Sequence, residues 1–252
     1  MQLSLQSDLL IGFLLALTRT SAWITITPPF NSNAIPLRIK IAIAAALSLP
    51  LASSLGAESR TFDTPALIGV IVYQVFAGVA LGFIVYILFT LIQVAGELID
   101  FQAGFSAASI YDPFSNAAST PFGRIYQLMA VTVLFAMNGH LLLIRGFFAS
   151  YQAAPLSGPR VNDMSRLVTS DMTRFLVSAI EIASPLLAAL FITELTLGLI
   201  SKAAPQMNVM VIGFIVKTLV VFVLVALALP IIPNALDSIV DEAVRTMARL
   251  TR

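Results

Sequence analysis

The sequence predicts an all-α, polytopic integral membrane protein made of long, kinked helices that end in a helical hairpin. Three observations predict this. Apolar residues make up 58% of the 252-residue chain and charged residues only 11%, where a soluble domain carries roughly 25% charged residues. Mean hydropathy is +0.94. Residues 64–96 run for 33 positions without a charge, more than the ~20 a helix needs to cross a ~30 Å hydrocarbon core.

The helices follow in order from apolar runs and their breakers. The first covers about residues 3–26, interrupted by Arg19, and ends at Pro28-Pro29, whose rings remove donors and clash with the preceding turn. Its start lacks a basic region and a small-residue cleavage site, so it reads as a retained helix and not a removed signal. Asn31-Ser32-Asn33 is turn chemistry. Pro36 opens a second helix at a tolerated position; it carries Arg38 and Lys40, then a charge-free run over 41–57. A loop over 58–64 leads into the 33-residue run, which must tilt strongly, break or project out of the bilayer. Residues 109–123, with Asp112-Pro113, Pro121 and Gly123, read as loop. A fourth helix spans about 124–145. Residues 153–171 form a polar connection. The last third reads as a hairpin, with one helix over about 172–202, a turn at Ala203-Ala204-Pro205-Gln206, and a second helix from about residue 207, kinked at Pro230 and Pro233.

Composition also narrows function. A net charge of +1 argues against nucleic acid as a partner, which would need a clustered basic face. The absence of cysteine excludes disulfides, zinc clusters and thiol catalysis. With one histidine, His140, and no nucleophile elbow or phosphate loop, the chain reads as a non-enzyme without a cofactor. His140 is expected to cap or touch backbone near Asn138-Gly139. Lys and Arg counts in alternate connections put the side bearing Arg60, Arg160, Arg166 and Arg174 in the cytoplasm.

Several features can carry function. Gln93, Gly96, Glu97, Asp100 and Gly104 recur on one helical face. Carboxylates facing lipid are costly, so this face lines a pore or gate, or else it belongs to a helix end emerging into solvent. The loop with Ser106, Tyr111, Asp112, Pro113, Phe114, Ser115, Asn116, Pro121 and Phe122 is either re-entrant, which requires shelter by protein or a cavity, or a surface connection. Gly78-x-x-x-Gly82 permits close helix approach. Glu194 and Lys217 lie equally far from the Pro205 turn, so they pair across the hairpin or face different subunits. Arg19 either snorkels or meets a carboxylate.

These residues add up to a resemblance. Ile35-Pro36-Leu37-Arg38-Ile39-Lys40, Gly96-Glu97-Leu98-Ile99-Asp100-Phe101-Gln102-Ala103-Gly104, Tyr111-Asp112-Pro113, Asn138-Gly139-His140 and Ala203-Ala204-Pro205-Gln206-Met207-Asn208, leading to Val211-Ile212-Gly213-Phe214, stand in the order of the FliR/SctT family. Those are export-gate membrane proteins of flagellar and injectisome type III secretion. The chain resembles the flagellar branch. It departs where the family places a proline after Gly-Phe; Ile215 stands there, so a kink would be weaker or fall to Gly213 alone.

The resemblance implies a subunit that folds within a helical hetero-oligomer, with FliP-type and FliQ-type subunits as partners and FlhB-type and FlhA-type components nearby. It implies that residues 1–152 resemble the FliP-type subunit and 172–252 the FliQ-type hairpin. The segment 106–122 would plug the channel, with Phe105, Phe114 and Phe122 as the apolar seal. Unfolded exported flagellar proteins would pass through it, in the inner membrane at the flagellar basal body, with part of the gate projecting to the periplasmic side. The resemblance places the Pro205 turn, and with it Lys202, in the cytoplasm, opposite to the charge count. The alternative from residues alone is a secondary transporter for a small solute, which broken helices and intramembrane carboxylates would suit; no inverted repeat is visible.

Overall fold

The computed structural model describes residues 2–59, 62–105, 120–153, 156, 161–206 and 208–228. Among these the chain is helical without strands: α1 Gln2–Ile26, α2 Leu37–Ser48, a 3-10 turn Leu49–Leu51, α3 Ala52–Ser59, α4 Thr64–Ala103, α5 Pro121–Ala136, α6 Gly139–Ala153, α7 Val161–Ala203 and α8 Val209–Ala228. Four stretches, Ser7–Ile26, Leu37–Ser59, Pro65–Ala103 and Ala183–Ala203, are long and apolar enough to cross a membrane, and the broken pair Pro121–Ala136 with Gly139–Tyr151 makes a fifth if it counts as one span. The polytopic, all-helical class read from composition is what the chain adopts.

Element ends follow local chemistry. α1 stops before the two prolines, and the Thr27 hydroxyl and amide both return to the Trp23 carbonyl, at 2.7 and 2.9 Å. Lys40 then donates to the Asn31 carbonyl across the turn at 3.0 Å. α4 runs unbroken for 40 residues, about 60 Å at 1.5 Å per residue, so of the three outcomes open to the charge-free run, breaking is the one not taken. α7 holds Pro185 within its length. Proline removes the amide that would serve the carbonyl four residues back. That carbonyl, on Glu181, accepts instead from the Ser184 hydroxyl at 2.9 Å.

Two sequence-based boundaries shift. The helix expected over 124–145 is two helices, because Asn138 takes a left-handed φ of 58° after Met137 has left helical geometry at ψ 7°. Asparagine tolerates that region better than most residues, and Gly139 follows, where a Cβ would press on the Leu134 side chain at 2.8 Å. The hairpin's first helix begins at Val161 and so takes in part of the polar connection. The expected kinks at Pro230 and Pro233 lie outside the described residues.

The described residues fall into two compact units, those within Met1–Ile87 and Leu141–Ser170, and those within Leu88–His140 and Asp171–Val240. In the first unit, α1 packs on α2 and α3 through small residues. A Cβ on Gly12 would meet the Ala52 carbonyl oxygen at 2.1 Å, and one on Gly78 the Arg19 carbonyl at 2.4 Å. The Gly78-x-x-x-Gly82 signal therefore marks real backbone contact between α4 and α1. Arg19 is fully buried. Its Nε donates to Gln74 Oε1 at 2.5 Å, its NH1 group reaches the Ser150 carbonyl at 3.3 Å, and the Tyr151 ring lies 4.2 Å away. The arginine neither snorkels outward nor waits for lipid; it ties α1 to α4 and α6. Trp23 stacks on Phe147 at 4.6 Å just below.

These seams predict an asymmetry among glycines. Gly12→Ala or Gly78→Ala must push helices apart, costing ~1–3 kcal/mol of overpacking. Gly69→Ala, whose Cβ meets nothing within 4 Å, should be neutral or mildly stabilising. Thermal unfolding of the detergent-solubilised variants, followed by light scattering, checks this; equal midpoints for all three would contradict the close seams.

Candidate functional site

The second unit gathers most of the residues singled out in sequence around the end of α4. Gly104 takes φ +90°, a region open to glycine. Its amide returns to the Phe101 carbonyl at 3.2 Å and the Phe105 amide to the Asp100 carbonyl at 2.9 Å, the paired bonds of a glycine-terminated helix. Gly104 thus terminates α4 and aims Phe105 back towards the bundle, apart from the other four members of its stripe.

Asp100 is fully buried. Its Oδ2 accepts the Phe122 and Gly123 amides, each at 2.9 Å. These belong to the first turn of α5, whose amides have no partner within the helix and carry the positive end of its dipole. A carboxylate from 22 residues away therefore caps α5. Two glycines allow the approach: a Cβ on Gly96 would meet the Phe122 carbonyl oxygen at 2.6 Å, and one on Gly123 the Glu97 Cγ at 2.8 Å. Half-buried Gln93 donates to Glu97 Oε1 at 2.8 Å along the same face. Gln93, Gly96, Glu97 and Asp100 so form the seat on which α5 begins, with Pro121 at its first position, where the missing amide costs nothing.

An aromatic cluster lies against this seat. Phe122, buried, has Phe105 at 5.7 Å and Phe222 at 5.7 Å, and Phe105 meets Phe214 edge-on at 5.5 Å. Phe105 and Phe122 were expected in the seal from the resemblance; Phe214 stood only within a matching stretch and Phe222, eight residues on in α8, was not noted, because nothing local separates it from ordinary apolar positions of that helix. Ser106, Tyr111, Asp112, Pro113, Phe114, Ser115 and Asn116 lie outside the described residues.

The hairpin holds a polar tie. Lys217 Nζ stands 3.1 Å from Glu194 Oε1 and 3.3 Å from the Gln102 carbonyl, while Gln102 Nε2 donates to Glu194 Oε2 at 2.7 Å. Gln102 closes a three-way link of α4, α7 and α8 that the symmetric spacing about Pro205 could not reveal. Lys202 stands exposed in the last turn of α7, where a cation suits the helix dipole. α8 is continuous through Gly213 and Ile215, and a Cβ on Gly213 would stand 3.3 Å from Leu197 Cδ1. Between α7 and α8 lies an open slot of about 310 Å³ lined by Ile192, Thr196, Ile200, Ile212 and Val216 among others. Thr193 and Thr196 spend their hydroxyl donors on the Ala189 and Ile192 carbonyls, so the wall is mainly apolar.

His140 lies with its ring 4.8 Å from Phe135, and its Nδ1 is buried without a hydrogen-bond partner among the described residues. Among the described residues no group of three His, Cys, Asp or Glu could hold a metal ion.

A family model described as bacterial export proteins, family 1, matches residues 10–243. The chain is 28% identical over 247 residues to the flagellar biosynthetic protein FliR of Bacillus subtilis (strain 168), covering 96% of this chain and 95% of that protein. It is 29% identical over 233 residues to the FliR of Escherichia coli (strain K12), covering 92% and 89%. It is also 29% identical over 173 residues to the Yop proteins translocation protein T of Yersinia pestis, covering 68% and 65%.

The polar tie makes a prediction about order of damage. The Lys217 side chain is 16% exposed and that of Glu194 53%. Removing the carboxylate therefore leaves the half-buried ammonium, the more expensive orphan, with the Gln102 carbonyl, and because Glu194 is exposed the loss stays near the ~1 kcal/mol of a solvent-screened pair. Glu194→Leu should lower the thermal midpoint more than Lys217→Met, and the double variant should recover most of the loss. A double variant as unstable as Glu194→Leu would show that the tie is not what the single change breaks.

Proposed function

Because the chain belongs to the bacterial export proteins, family 1, we propose that it is a subunit of the flagellar type III protein export gate, which lines and plugs the channel by which unfolded flagellar proteins cross the inner membrane. Its family membership makes it a component of a bacterial export apparatus, and its long apolar helices place it among membrane proteins. Its work is structural: it shapes and closes a passage. The partners are FliP-type and FliQ-type subunits in a helical hetero-oligomer, with FlhB-type and FlhA-type components adjoining and part of the assembly on the periplasmic side. In that assembly residues 1–152 take the place of a FliP-type subunit and 172–252 of a FliQ-type hairpin.

The observation that carries this reading is the aromatic cluster. Phe105, Phe122, Phe214 and Phe222 converge where the chain leaves α4 and re-enters at α5, at the two roots of the segment 106–122 that the resemblance makes the plug. An apolar constriction closes a pore by excluding water, so ions cannot carry their hydration through it. Phenylalanine suits the task, since its ring fills space without a polar atom that would invite water. Residues 106–119 would extend the closure; their part in it rests on the resemblance.

The test is ion leakage through the assembled gate. Phe122→Ala, and separately Phe105→Ala, should raise the small-ion permeability of cells expressing the complete apparatus, whereas Phe122→Leu, which keeps an apolar filler, should stay near wild type. Wild-type permeability in an alanine variant that still co-purifies with its partner subunits would overturn the seal.

A further inference from the structure

The first turn of α5 has one more hydroxyl than it uses. Thr120 is its N-cap residue, extended at φ −61° and ψ 149°, and makes no side-chain cap bond. Its Oγ1 is buried without a hydrogen-bond partner among the described residues. An N-cap threonine ordinarily accepts from the second or third amide of its helix, which here are Phe122 and Gly123. Both are held by Asp100 Oδ2. The local cap is therefore displaced by a distant one, and it stays beside the amides it would serve.

The distant cap is itself incompletely satisfied. Among the described residues Asp100 Oδ1 is buried with no hydrogen-bond partner, so there one oxygen carries both bonds and the other carries none. A charged acceptor makes stronger bonds than a hydroxyl, which favours Asp100; an unsatisfied buried carboxylate oxygen costs free energy, which weakens that preference. Two acceptors of opposing merit thus compete for the same pair of amides.

We propose that Asp100 and Thr120 are alternating caps, and that exchange between them lets Phe122 leave and re-enter the aromatic cluster without leaving its amide unpaired. With Asp100 in place, the seat of Gly96 and Gly123 is closed and Phe122 is held among Phe105 and Phe222. With Thr120 in place, α5 keeps its first turn but parts from α4. Asp100 is then the positioning residue for the closed arrangement and Thr120 for the open one. The inference rests on the reading of the cluster as the channel seal.

Opposite phenotypes test it in cells carrying the whole export apparatus. Asp100→Ala should leak ions as Phe122→Ala does. Thr120→Val, isosteric but unable to accept, should remain tight and export more slowly, by a factor of roughly 2 to 30, the value of an N-cap hydroxyl in a conformational equilibrium; Thr120→Ser should restore the rate. Export at the wild-type rate by Thr120→Val overturns the exchange. A tight, assembled Asp100→Ala beside a leaking Phe122→Ala overturns Asp100's part while the seal stands, and tightness in both overturns the seal itself. Should Asp100→Ala fail to assemble, Asp100→Asn keeps the shape and loses the charge. The chain has no cysteine, so a single Tyr126→Cys, at a position buried in the closed arrangement, reports on the start of α5. Faster maleimide labelling in the Asp100→Asn background is the expected result, and unchanged labelling overturns the proposal.

Discussion

The second unit turns on one residue that finishes one helix and begins the next. The main-chain carbonyl of Asp100 accepts the Phe105 amide and so ends α4, and its side chain accepts the Phe122 and Gly123 amides and so starts α5. A helix terminus buried away from water needs partners for its free amides. Here the partner is a carboxylate oxygen set against the positive end of the α5 dipole. The glycines at 96, 104 and 123 follow from that choice. Two of them let the backbones meet, and the third takes the left-handed turn that releases the chain.

The same constraint, that polar atoms must be satisfied inside the protein when the surroundings are hydrocarbon, organises the rest. Ser184 stands in for the amide that Pro185 lacks. Threonine and serine hydroxyls along α1, α7 and α8 fold back on carbonyls of their own helices, as Thr20, Thr196 and Thr218 do. What such local bonds cannot serve is handled by ties between helices: Arg19 with Gln74 and Ser150 in one unit, Glu194 with Lys217 and Gln102 in the other.

Sequence made some of this legible and hid the remainder for identifiable reasons. Prolines 28 and 29 marked the end of α1 because they act through their own rings. The charge-free run marked α4 because the membrane acts on composition. Glu194 and Lys217 could be placed together because a tight turn lies midway between them. By contrast, the break at Asn138 depends on one residue adopting a left-handed conformation that it shares with many asparagines in ordinary loops. Asp100 could be flagged as costly, but whether it meets water or backbone is decided by a contact 22 residues away. Phe222, Gln102 and Thr120 acquire meaning only from three-dimensional neighbours. The family resemblance supplied the export context that neither periodicity nor spacing contains.

The burial of Arg19 has a consequence for biosynthesis. An arginine at the centre of a membrane helix costs ~2.5–3.5 kcal/mol on insertion. Two of its acceptors in the finished fold lie 55 and 131 residues downstream, at Gln74 and Ser150. At ~5–20 residues per second, a ribosome needs roughly 7 to 26 s to pass from Arg19 to Ser150. The bond to Gln74 in α4 can therefore form before the one to Ser150 in α6. Translation order thereby becomes part of how this protein reaches its folded state.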